Sequence, residues 1–286
     1  MPELPEVETI RLGLQKYFVG HVIEKIEVRL EKMLTGDCEL VNGKKVTGVR
    51  RFGKGLVIDL ENGSSIAIHI KMTGQLIYTG PGAPQGTKIS EKVGIQLPNH
   101  HTHVIFYLDQ KAILYYNDIR QFGWLKIVKT DEVFGLPFFK ELGPELFPSA
   151  GQPALSLEQF DAILRKTKGP IKPLLMDQKK IGGVGNIYAN DALYVAGIDP
   201  KRKANTLHAD EAERLFEGLK TVLAKGLKVG GASEWQYVNA LGQTGGYQNF
   251  FQVYRKQGTK CLRCGGIIQK SVMGGRGTFF CTGCQR

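Results

Sequence analysis

Four cysteines constrain the end of this chain more tightly than any other feature of its sequence. Cys261-x-x-Cys264 and Cys281-x-x-Cys284 stand sixteen residues apart within the final 26 residues. Two such knuckles each present two thiolates, the donor set that a tetrahedral zinc ion prefers. The intervening sequence reads as a β-hairpin, with strands over 267–272 and 278–281 and a turn over 273–277. A module of about 35 residues cannot bury enough apolar surface to fold unaided, so metal supplies the missing stabilisation. With all four ligand positions occupied by protein, one structural zinc is expected. The alternative is four free or redox-active thiols. Cys38 has no partner in this scheme and reads as a small buried hydrophobe.

Charge points to the same region. The 286 residues carry 38 lysines and arginines against 27 carboxylates, a net charge of +11. No Asp or Glu follows Glu234, yet Arg255, Lys256, Lys260, Arg263, Lys270, Arg276 and Arg286 do. Excess positive charge gathered on one module suits a polyanion, nucleic acid before an anionic membrane surface. Apolar runs are far shorter than the roughly 18 residues of a spanning helix. Glu3, Glu6 and Glu8 at the start are wrong for a signal peptide, so the expected location is cytoplasmic.

Periodicity divides the rest. Pro5, the acidic first turn and the stripe Val7, Ile10, Leu14, Tyr17 and Phe18 predict a helix over 5–19. From about 22 to 128 the pattern has period two, at Ile26/Val28/Leu30, 56–60, Ile66/Ile68/Ile70, 104–108, 113–116 and 124–128. Short strands at this spacing predict a β-sandwich or barrel, interrupted by a Gly/Pro/Ser-rich loop at 79–90. Four prolines mark 131–153 as a linker. Helical spacing follows over 156–166, 171–181, 187–196 and 208–229. The domains expected are a β-rich unit over 1–130, the linker over 131–153, a helical unit over 154–249 and a metal module over 250–286.

Several local features carry chemistry, each with a plainer alternative. Arg276 in Gly274-Gly275-Arg276-Gly277 suits a phosphate clamp or, equally, a solvated turn. The glycine-rich Ile181–Tyr188 stretch opens a helix whose bare N–H groups could meet a phosphate, or is simply a tight turn. His69 and Lys71 alternate with Ile66, Ile68 and Ile70, which predicts a shared cationic strand face. Met72 follows and reads as core by periodicity alone. Once Met1 is removed, Pro2 offers a secondary amine able to attack an electrophilic carbon, with Glu3 beside it as acid or base. Most proteins with proline in second position use it for nothing. His101 and His103 alternate as metal ligands might, but lack a completing set, so a structural or phosphate role is expected.

These features occur together in one order. Met1-Pro-Glu-Leu-Pro-Glu-Val-Glu-Thr9, Lys71-Met-Thr-Gly74, Asn117-Asp-Ile-Arg-Gln-Phe-Gly123, Gly185-Asn-Ile-Tyr188 and Gly275-Arg-Gly-Thr-Phe-Phe-Cys281 span the chain. The sequence strongly resembles the bacterial formamidopyrimidine-DNA glycosylases, which excise oxidised purines. That resemblance implies an α+β fold of two domains: a β-sandwich with flanking helices, then a helix-two-turn-helix domain with a β-hairpin zinc finger. It implies that Pro2 attacks the sugar C1′ and forms a Schiff base, that Glu3 assists ring opening, and that β- and δ-elimination nick the strand. It places Lys54, Asn186, Tyr254 and Arg276 along the DNA backbone, where the alternation-derived face of His69 and Lys71 is cationic enough to meet a phosphate. Met72 becomes a wedge in the space of the flipped base, and Arg120 and Phe122 face the orphaned partner. Cys261, Cys264, Cys281 and Cys284 hold the zinc. The implied partner is damaged double-stranded DNA, met by a monomer associated with the nucleoid and not with a membrane. A non-catalytic damage-binding protein on the same scaffold is the alternative, although it would have no need of Pro2, Glu3 and Lys54.

Three positions depart from the resemblance. Gln121 stands where a second arginine is frequent, and Asn190 where an acidic residue is frequent. Gly230-Gly231-Ala232-Ser233-Glu234-Trp235 replaces a Gly-Gly-Ser-Ser/Thr-x-Arg pattern in the loop expected to close over an extruded purine. Fewer polar groups and more stacking surface should favour ring-opened formamidopyrimidines, and oxidised pyrimidines with them, over 8-oxoguanine. The alternative is that Trp235 anchors the core.

Overall fold

The computed structural model describes residues 1–84 and 86–286. The chain divides into two compact units, Met1–Lys140 with Val229–Gln248, and Glu141–Lys228 with Asn249–Arg286. The first boundary falls inside the 131–153 stretch expected as linker. The second returns residues 229–248 to the β-rich unit.

In the first unit, helix α1 (Leu4–Tyr17) starts after Glu3, which is extended at φ −109°, ψ −172°. The Glu3 N–H donates to Glu6 Oε2 at 2.7 Å, satisfying a donor that the helix itself cannot. Val7, Ile10 and Leu14 bury one face. Nine strands follow: β1 (Val22–Val28), β2 (Leu34–Thr35), β3 (Lys44–Phe52), β4 (Gly55–Leu60), β5 (Ser64–His69), β6 (Gly74–Thr79), β7 (Thr102–Leu108), β8 (Ile113–Asp118) and β9 (Trp124–Lys129). They form one sheet in the order β2-β9-β5-β4-β3-β1-β7-β8-β6. Among the described residues, its two halves join through β1 and β3, where Val22 pairs with Lys45 and Ile23 with Lys44. Ile58 and Ile66 from one half share a core with Phe106 and Tyr116 from the other, together with Ile10 and Leu14 of α1. The expected sandwich therefore has a single apolar filling. Residue 85 of the expected 79–90 loop lies outside the described residues.

Residues 131–140 are not linker. A 3₁₀ segment over Thr130–Gly135 and helix α2 (Pro137–Lys140) bury Val133 and Phe139. Phe139 meets Phe52 and Trp124 edge-on at 6.1 and 6.4 Å, so aromatic packing overrides the proline content.

The second unit holds α3 (Leu157–Arg165), α4 (Ile171–Met176), α5 (Asn186–Ala196), α6 (Ala209–Lys228) and the hairpin β10 (Gln269–Met273)–β11 (Arg276–Phe280). The helix expected over 171–181 stops at Met176. Beyond it the Gln178 side chain donates to Met176 O at 2.9 Å and Val184 O at 2.7 Å and accepts from Gly183 N at 3.0 Å. Those bonds give a glycine-rich backbone partners outside any helix, which makes a turn cheaper than more helix. Among the described residues, no helix is long and apolar enough to cross a membrane.

Candidate functional site

In the first unit, α1 and the β3–β4 turn are tied together. The Arg51 side chain is fully buried, donates from Nε to Glu8 Oε2 at 2.8 Å and from Nη1 to Gly53 O at 3.0 Å. This pair ties the turn that carries Lys54 to α1, the helix that Pro2 and Glu3 immediately precede. All three residues are buried. Glu6 adds a second tie, since its Oε1 accepts Ala232 N at 2.6 Å. Gly231 must be glycine at this contact: its φ is +79°, and a Cβ would lie 2.7 Å from Glu6 Oε1.

The expected cationic face of β5 is different from the sequence reading. The strand ends at His69, every residue of it is buried, and Lys71 leaves in a left-handed turn with φ +49°. His69 is 4% exposed and its Nδ1 accepts the Lys71 N–H at 2.9 Å. Burial, with the charges of Lys71 and Lys54 nearby, lowers its pKa to about 3. His69 is therefore a neutral imidazole that carries its proton on Nε2, and the cations here are the two lysines.

Met72, Arg120 and Phe122 come together as a protruding group. Met72 is 40% and Phe122 54% exposed, so Met72 is not core. Arg120 Nη1 lies 3.0 Å from Met72 Sδ, and its guanidinium sits 4.6 Å from the Phe122 ring centroid. Asp118, which sequence reasoning passed over, organises the base of this group. Its carboxylate takes the Thr73 hydroxyl and, at 2.7 Å, Gly123 N, while Arg120 N donates to Thr73 Oγ1 at 3.0 Å. The missed signal was an acidic residue inside the Asn117–Gly123 motif, at the end of a mostly apolar strand and five residues before a glycine.

In the second unit, Asn186 is the first residue of α5, after Gly185. Asn190, the expected acidic position, is buried and donates to Asn186 O at 2.5 Å and Oδ1 at 3.2 Å. Its own Oδ1 accepts Phe279 N at 2.8 Å, which docks the hairpin on the helix. Asp191 Oδ1 accepts the N–H groups of Val253 and Tyr254 at 3.0 and 3.1 Å. Arg276 is exposed and opens β11, paired with Met273 across a two-residue Gly274-Gly275 turn whose glycines are both at positive φ.

The four cysteine sulfurs lie within 4.8 Å of one another, and two pairs are separated by 3.7 and 3.5 Å. Tetrahedral zinc with bonds near 2.3 Å places sulfurs about 3.8 Å apart, so these residues fit the ion. Among the described residues this is the one cluster able to hold a metal. His101 and His103 join no such group, and His103 Nε2 instead pairs with Asp118 O at 2.8 Å. Cys38 is half-buried beside the sandwich core. Trp235 is 60% exposed, which removes the core-anchor alternative.

Three family models match in sequence: the formamidopyrimidine-DNA glycosylase N-terminal domain over residues 1–125, its H2TH domain over 142–237, and a zinc finger found in FPG and IleRS over 258–286. A formamidopyrimidine-DNA glycosylase of Pelotomaculum thermopropionicum is 40% identical, covering 100% of this chain and 99% of its own length. The chain belongs to the formamidopyrimidine-DNA glycosylase family. A Streptococcus pneumoniae family member is 38% identical over 100% of the chain and 99% of its own length. Among solved structures of the family, a Lactococcus lactis FPG mutant with DNA containing Fapy-dG aligns with a TM-score of 0.86 at 35% identity, covering both chains fully. The Thermus thermophilus MutM (FPG) protein aligns with a TM-score of 0.85 at 34% identity, covering 99% of this chain and 98% of that one. The α+β fold and the structural zinc inferred from sequence are those of the family.

Proposed function

We propose that this chain is a DNA repair glycosylase and lyase that excises oxidised purines from damaged double-stranded DNA, acting as a monomer in the cytoplasm at the nucleoid. Membership of the family supports the enzyme over the non-catalytic alternative. The observation that supports the residue assignment is the Glu8–Arg51–Gly53 connection, which ties the turn carrying Lys54 to the helix that Pro2 and Glu3 precede.

With Met1 removed, the Pro2 nitrogen attacks C1′ of the lesion nucleotide. The N–C1′ bond forms as the glycosidic bond breaks, and the base departs with a proton. Glu3 assists opening of the sugar ring, leaving an iminium between Pro2 and C1′. The iminium acidifies the adjacent C2′–H; loss of that proton expels the 3′ phosphate by β-elimination, and a second elimination expels the 5′ phosphate. Lys54 and Lys71 supply charge to backbone phosphates, and His69 a neutral N–H. Asn186, Tyr254 and Arg276 engage the backbone from the second unit. Met72 fills the vacated space while Arg120 and Phe122 hold the unpaired base opposite. Zinc on Cys261, Cys264, Cys281 and Cys284 holds the hairpin that carries Arg276.

Borohydride reduction in the presence of a lesion-containing duplex, followed by mass mapping, tests this. The crosslink should fall on Pro2, and Pro2→Gly should lose most base excision while still binding duplex. Full activity from protein that retains Met1 would overturn the assignment.

A further inference from the structure

The 229–248 loop is not free to choose its shape. Beyond the Glu6 contact, every polar atom of Ser233 is engaged. Its N–H donates to Gln248 Oε1 at 3.0 Å, its hydroxyl donates to Tyr237 O at 2.9 Å and accepts Gly245 N at 2.8 Å, and its carbonyl accepts Lys92 Nζ. Three residues on, Gln236 O accepts Gln75 Nε2 at 2.7 Å. The same Gln75 amide donates to Lys92 O at 3.0 Å, and its Oε1 accepts Asn117 Nδ2 at 3.4 Å. Gln75 is 3% exposed on β6. Gln75 of β6 and Lys92 of the β6–β7 connection thus grip the carbonyls of residues 236 and 233, which bracket the 60% exposed Trp235 in the chain.

We propose that Lys92 and Gln75 are positioning residues that hold the 233–236 arm and thereby set which damaged base the enzyme excises. The proposal rests on the glycosylase reading above. A stacking indole discriminates little by itself; discrimination comes from where its plane is held, because a fixed ring loses no conformational freedom on meeting the base. Lys92 suits such a grip. Its Nζ donates to the backbone carbonyl of Ser233, and partial burial lowers its pKa while the charge of Glu234 opposes the fall. Neither side chain is part of the Pro2–Glu3–Lys54 group, so chemistry on a sugar that has already lost its base does not require them.

The test is Lys92→Met, which keeps the apolar stem and removes the donor. Single-turnover rates are measured on matched duplexes carrying a formamidopyrimidine, 8-oxoguanine or a preformed abasic site. The ratio of the first two rates should shift by about fivefold or more, the size expected for one lost charge-assisted bond. Nicking at the abasic site should stay within about twofold of wild type on the same reasoning. Gln75→Leu should shift the ratio in the same direction. An unchanged ratio, or a parallel fall in all three rates, would overturn the proposal. Wild-type protein that performs none of the three reactions would instead remove the function on which it rests.

Discussion

Replacing His69 by glutamine tests whether the imidazole serves as a neutral donor. Its Nδ1 already accepts the Lys71 N–H, and its pKa is lowered to about 3 by burial and the two nearby lysines. An unfolded chain holds the same imidazole near the ordinary value of about 6.5. Between these values the unfolded state binds more protons than the native state, so stability is greatest above pH 6.5 and falls as pH drops toward 3. From pH 7 to pH 5 the loss is about 2 kcal/mol. That size is set by the unfolded imidazole alone, because the native group is still neutral at pH 5. Urea unfolding at the two pH values, on wild type and His69→Gln, reads the difference directly. The wild type should lose about 2 kcal/mol more than the variant across that interval. A neutral donor also releases no counterion, so His69→Gln should weaken duplex binding without changing the slope of log K against log salt. Lys71→Met should flatten that slope by about 0.9. Identical pH dependence in both proteins, or a slope change of about one unit in His69→Gln, would refute the neutral imidazole.

Other consequences are equally direct. Arg276→Ala should weaken duplex binding and flatten the salt slope by about 0.9, whereas an unchanged slope would make Arg276 a solvated turn residue. Cys281→Ser should release the zinc, measurable as metal content, and unfold the hairpin while the sandwich unit keeps its own cooperative unfolding; wild-type DNA affinity in that variant would argue against a role for the hairpin in binding. Trp235→Ala should move the enzyme's preference away from ring-opened formamidopyrimidines and toward 8-oxoguanine, read as single-turnover excision from matched duplexes. A strong 8-oxoguanine preference in both proteins would show the loop substitution to be neutral.

Much of this protein is legible one segment at a time. The zinc knuckles need only two short spacings and a hairpin between them, and α1 needs only its capping residues and apolar stripe. Pro2 and Glu3 are placed by their position at the head of that helix, and the individual strands by alternation. Each of these is decided by neighbours within a few residues, so the sequence by itself determined them. The misreadings arose where a distant segment intervened. Alternation placed His69 and Lys71 on one cationic face, but burial from both sides and the left-handed turn at Lys71 made the histidine a neutral acceptor. Proline content marked 131–153 as linker, but within its first part Phe139 found an aromatic partner in Phe52, more than eighty residues earlier. Helical spacing continued past Met176, but Gln178 offered the turn backbone better partners. Asp118 drew no attention until Thr73 and Gly123 closed on its carboxylate. The grip of Lys92 and Gln75 on residues 233 and 236 spans more than 140 positions. Local spacing fixes which groups a segment can offer, but burial and hydrogen-bond partners depend on what packs against it, and only the tertiary structure supplies that.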